Sequence, residues 1–133
     1  MRSYHFNNLL SQRVAQSTWN TLMSGDKANL EGSGSVFDFS DIDGVLQARC
    51  DVMDIHPSAI LIGDGSECEP VQWAAALAKA RVQPGNRSLR LKVHDLEVAM
   101  EEAEVGESTV TLNFSLTRGA YATAVLRELC LWS

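Results

Sequence analysis

The chain has 133 residues, 45% of them hydrophobic, with 11 Lys and Arg against 17 Asp and Glu and a formal net charge of −6. That length suits one ordinary domain, or one and a half small ones, and the apolar share is enough to build a core. No run reaches the roughly 20 apolar residues of a membrane helix, the first residues lack the apolar stretch of a signal peptide, and the acidic balance argues against a general nucleic-acid binder, so the cytoplasm is the expected compartment.

Residues 2–16 read as a helix, because Phe6, Leu9, Leu10 and Val14 fall on one face at a period of 3.6. Only Met1 precedes this stripe, so the helix reads as one entered partway along. Residues 17–35 form a Ser-, Gly- and Asn-rich loop. Its Gly32-Ser33-Gly34-Ser35 run turns between a short strand near residues 29–31 and another at 36–39. Ser40 followed by Asp43 resembles a capping box. Ile42, Val45, Leu46, Cys50 and Met53 then give an amphipathic helix, expected to stop before His56-Pro57. Residues 58–62 have strand character, and 63–66 are a loop. Glu69-Pro70 opens a further helix over 71–82 with proline in its first turn, and Gln83-Pro84-Gly85-Asn86 ends it.

The pattern then changes to a period of two. Leu89, Leu91 and Val93 alternate with polar residues, as do Leu96, Val98 and Met100, and then Val110, Leu112, Phe114 and Leu116. Gly119 ends the last run, and residues 120–131 read as a closing helix. The expected class is therefore α+β. Mixed helices and short strands fill residues 1–85, and a three-stranded, mostly antiparallel segment with a closing helix fills residues 86–133.

Few residues carry chemistry on their own. Cys50, Cys68 and Cys130 are too widely spaced for a disulfide framework or a zinc site. The scattered His5, His56 and His94 make no metal or triad pattern. Charge is more informative. Residues 70–94 contain Lys79, Arg81, Arg87, Arg90 and Lys92 with no acid, whereas Asp95, Glu97, Glu101, Glu102, Glu104 and Glu107 follow with no base among them. One reading is mutual neutralisation of neighbouring faces. The other is a local phosphate-attracting patch, with these five basic residues as candidate RNA contacts.

Three stretches resemble one family. Arg2-Ser3-Tyr4-His5-Phe6-Asn7 is similar to the RSxxFN element of TruD-type tRNA pseudouridine synthases. Gly25-Asp26, Leu30 and Gly32 to Phe37 resemble that family's GD…L.G.GS.F stretch. Leu116 to Leu129, with Gly119-Ala120-Tyr121-Ala122-Thr123 and Arg127-Glu128-Leu129, is similar to its C-terminal signature. The resemblance implies a V-shaped fold in which an inserted TRUD domain interrupts a catalytic domain. Residues 1–85 would then be TRUD-insertion-like, and residues 86–133 would return to the catalytic domain. It also implies isomerisation of a tRNA uridine to pseudouridine, without cofactor or metal, through a catalytic aspartate and a flipped nucleotide. Tyr121 matches the family's active-site aromatic, which would stack near the target base. Arg118 and Gly119 lie beside it as substrate-groove candidates.

The family's G-x-x-D-(K) motif, which carries the nucleophilic aspartate, has no match among the 133 residues. No catalytic residue is therefore assigned, and the chain alone is expected to be inactive. It reads as a truncated or excised piece, or a gene remnant. The alternatives are a stand-alone RNA-binding module, with tRNA as partner, and a homo-oligomer formed through an exposed sheet surface.

Overall fold

A computed structural model describes residues 2–130. The chain divides into two compact units, Met1–Arg90 and Leu91–Ser133. In the first, helix α1 (Arg2–Ala15) is followed by strands β1 (Lys27–Leu30) and β2 (Val36–Phe37), helix α2 (Gly44–Asp51), strand β3 (Ile55–Leu61), helix α3 (Val71–Lys79) and strand β4 (Gly85–Ser88). The strands form one antiparallel sheet in the order β2-β1-β3-β4.

The glycines of the β1–β2 turn do what the sequence asks of them. Gly32 and Gly34 adopt φ of +79° and +69°, values that cost a side chain dearly, and the Leu30 N–H donates to Ser35 O at 2.8 Å. Helix α2 starts later than the Ser40 pattern predicts. Asp43 is its N-cap, accepting from Leu46 N at 2.7 Å. The cap falls there because a carboxylate at that position reaches an otherwise unpaired first-turn N–H.

Strand β3 begins at Ile55, so Pro57 lies within a central strand rather than before it. In an extended strand the N–H and C=O of one residue point to the same side. The Pro57 carbonyl accepts from Leu89 N at 2.9 Å, one residue past the end of β4. The missing proline N–H therefore falls outside the β1 ladder, which explains why the strand tolerates it.

Residues 55–59 are buried on both faces of β3. One core cluster holds Leu22, Ala28, Cys50 and Ile55, with Leu30, Phe37, Phe39 and Leu46 against it. The other holds Phe6, Ala59 and Leu89, with Leu10 and Leu61. Of the apolar stripe expected on α1, Phe6 and Leu10 pack on the sheet, whereas Leu9 and Val14 are exposed.

In the second unit, β5 (Val93–Glu102) and β6 (Ser108–Leu116) form a two-stranded antiparallel ribbon, followed by helix α4 (Ala122–Leu129). A register shift lies between His94 and Glu97, with Asp95 at φ +52°. The alternation expected across residues 88–93 does not become a third ribbon strand. Residues 85–88 pair with β3 instead, and the ribbon starts at Val93. The α+β class stands, with four helices and antiparallel sheets among the described residues.

Candidate functional site

The residues of the first two family-like stretches hold the first unit together. Arg2 donates through Nε to Ile62 O and through Nη2 to Gln83 O, both at 2.8 Å. It joins the start of α1 to the segments after β3 and α3. At the same junction Gly63 lies so close to the chain near Val82–Pro84 that a Cβ would come within 2.5 Å of Gln83 C and Val82 O. Phe6 is buried, and Arg87 stacks over its ring at 5.3 Å from the centroid.

Asp26 has a similar role. Its carboxylate accepts both terminal nitrogens of Arg13, at 2.9 and 3.0 Å, and also Met23 N at 2.9 Å. Arg13 in turn donates to the carbonyls of Thr18 and Thr21. This bidentate pair is largely removed from water, with side-chain exposures of 10% and 12%. Gly25, at φ +90°, turns the chain immediately before it.

Arg90 lies deeper than its place in the basic run predicts. Its Nε donates to His56 Nδ1 at 2.9 Å, Nη1 to Asn20 O at 3.1 Å, and Nη2 to Ile55 O at 2.9 Å and to Cys50 O. A guanidinium nitrogen only donates, so His56 Nδ1 is the acceptor and the ring proton sits on Nε2. That nitrogen meets the Glu31 carboxylate. His56, 2% exposed, therefore links an acid to a base through the interior of the unit.

Lys79, Arg81 and Arg87 are exposed on the α3–β4 stretch of the first unit, and Lys92 is half-buried at the start of the second. The structure thus leaves three of the five basic candidates on one surface segment and engages Arg90 inside.

The second unit presents the signature residues. After β6, Thr117 O accepts from Ala120 N at 3.0 Å, with Gly119 at φ +94° and Arg118 exposed. The tight turn requires that glycine conformation. Tyr121 then occupies the N-cap position of α4 in extended conformation, with no side-chain capping bond. Its ring is 70% exposed. It is therefore offered to solvent rather than packed as a core residue of the helix, and a base could stack on it.

One feature escaped the sequence reading. Tyr4, His5 and Asn8 of α1 and Glu69, Pro70 and Trp73 around the start of α3 line an open pocket of about 720 Å³. The available signal was Tyr4 and Asn8 four residues apart on the helix face away from Phe6 and Leu10. Among the described residues, no group of three or more His, Cys, Asp or Glu side chains could hold a metal ion, and no helix is long and apolar enough to cross a membrane.

The solved structure of a Methanosarcina mazei protein assigned as tRNA pseudouridine synthase D (TruD) matches with a TM-score of 0.64 at 20% identity, over 96% of this chain and 36% of that one. The fold is therefore that of part of a pseudouridine-synthase-D-type α+β protein. The family model for tRNA pseudouridine synthase D (TruD) matches residues 72–129. The tRNA pseudouridine synthase D of Psychrobacter arcticus is 37% identical over 96% of this chain, and that of Methylococcus capsulatus 39% identical over 96%. Over 96% of its length the chain is similar to these TruD-family proteins, and it spans 36% and 39% of the length of the two relatives.

Proposed function

We propose that this chain supplies the TRUD-insertion-like region (residues 1–85) and the last catalytic-domain segment (residues 86–133) of a cytoplasmic tRNA pseudouridine synthase. On this reading Tyr121 stacks on the target uridine, with Arg118 and the Gly119 turn beside it. Lys79, Arg81, Arg87 and Lys92 meet RNA phosphates. The nucleophilic aspartate comes from a polypeptide stretch outside these 133 residues, and no cofactor or metal takes part. The observation that carries the reading is the 70% exposed Tyr121 at the mouth of α4, within the segment that the family model matches.

A tritium-release assay on unmodified tRNA tests it. The chain alone gives no turnover. When it replaces the corresponding segment of the Methylococcus capsulatus relative, turnover is retained, and Tyr121→Ala lowers it at least about tenfold, on the scale of one lost base-stacking contact. Turnover by the chain alone, or a folded hybrid indifferent to Tyr121→Ala, refutes the proposal.

The ribbon supports a second reading, self-association. Val98 faces Leu112 and Met100 faces Val110 across the strands, and Val98, Met100 and Val110 are 57%, 71% and 51% exposed. Such an apolar face invites a covering partner. Light scattering that gives a monomer mass at high concentration removes this alternative.

A further inference from the structure

The pocket between α1 and α3 lies in the first unit, away from the Tyr121 segment in the chain, and the proposed reaction does not use it. Its walls combine unlike chemistries: the rings of Tyr4, His5 and Trp73, the Glu69 carboxylate and the Asn8 amide. Of the fixed letters of the RSxxFN element, Arg2 and Phe6 are engaged in the fold. The two intervening positions, Tyr4 and His5, are the ones that reach this surface.

Ring contacts hold the cluster together. The three rings meet pairwise edge to face, with centroids 5.5–5.6 Å apart and interplanar angles of 87–88°. The mutually perpendicular rings brace one another and hold the Tyr4 ring in place. Tyr4 is the exposed member at 55%, and Trp73 is half-buried behind it. A flat ligand can stack on the exposed Tyr4 ring. His5 Nε2 is buried and makes no hydrogen bond.

We infer that this pocket takes an unstacked nucleobase of an RNA strand, with guanine preferred. The inference rests on the RNA-binding part of the function proposed above. A splayed base is recognised by stacking on an aromatic ring and by hydrogen bonds to its edge. Glu69, as a carboxylate, only accepts. Guanine is the base whose Watson–Crick edge offers two adjacent donors, N1–H and the N2 amino group, matching two carboxylate oxygens. Adenine and cytosine offer one amino group, and uracil one imino group. Asn8 supplies a donor and an acceptor for the remaining edge.

The experiment titrates the full 133-residue chain with the pentaribonucleotides UUGUU, UUAUU and UUUUU at low salt, reading intrinsic fluorescence and oligonucleotide anisotropy. UUGUU binds about tenfold tighter than UUUUU, the scale of one stacked and paired base. Tyr4→Ala removes that preference and Tyr4→Phe keeps it, while Glu69→Gln brings UUGUU to the level of UUAUU. Equal affinity for the three oligonucleotides, or a guanine preference unchanged in Tyr4→Ala, overturns the inference. So does Tyr4-dependent binding of tetramethylammonium without oligonucleotide binding. Oligonucleotide affinity lost in Tyr121→Ala but not in Tyr4→Ala overturns only this pocket, whereas no binding of any oligonucleotide overturns the RNA reading with it.

Discussion

Replacing Arg90 by alanine tests whether this residue serves the interior or the surface. The wild-type guanidinium donates to His56 Nδ1 and to the carbonyls of Asn20, Cys50 and Ile55. Alanine leaves these acceptors without their donor, and Cys50, Ile55 and His56 are buried. It also removes the cation that balances Glu31 across the imidazole. A single hydrogen bond to a charged group contributes about 1.5–3 kcal/mol, but four bonds from one group are not additive. Removing one member of a buried charged network costs about 3–5 kcal/mol, and this is the expected loss. Arg90→Lys keeps the charge without the planar fork, and about 2 kcal/mol of loss is expected, within the range for a disrupted buried network. Urea unfolding followed by tryptophan fluorescence reads both values, from midpoints at a common slope. An Arg90→Ala protein within about 0.5 kcal/mol of wild type, the range of an ordinary surface change, would refute the reasoning. It would do so most clearly if RNA affinity fell at the same time.

Three further outcomes follow from the first unit's packing. Asp26→Ala strands the Arg13 guanidinium, whose side chain is 10% exposed, and should lower stability by about 3 kcal/mol, read as a drop in thermal midpoint. Gly63→Ala should cost about 2–3 kcal/mol, because the new methyl meets the Val82–Pro84 backbone and no side chain can turn aside. Gly44→Ala, at the first residue of α2 with open space around its Cβ position, should be neutral or slightly stabilising in the same melt.

Periodicity made the secondary structure legible where one face is less exposed than the other. Phe6 and Leu10 gave α1, and the alternation from Val110 to Leu116 gave β6. It misled where backbone pairing decided the outcome. Residues 88–93 alternate as a strand should, yet pairing with β3 ends at Ser88. Pro57 reads as a breaker locally, but its place in the sheet depends on where β4 stops. The Tyr121 segment was legible because its motif is contiguous. Arg90, by contrast, is one of five basic residues in a row of text, and nothing local says that its partners lie 34 to 70 positions earlier. The Tyr4–Trp73 pocket was hidden for the same reason, since its walls come from two helices far apart in sequence.

The placement of Arg90 bears on when the molecule can fold as it leaves the ribosome. Residues 20–56 emerge first, with a histidine and three carbonyls whose hydrogen-bond donor has not yet been made. Synthesis must reach the end of the first unit before that donor arrives. A nascent chain halted shortly before codon 90 should therefore remain protease-sensitive, and one halted well beyond it should be protected.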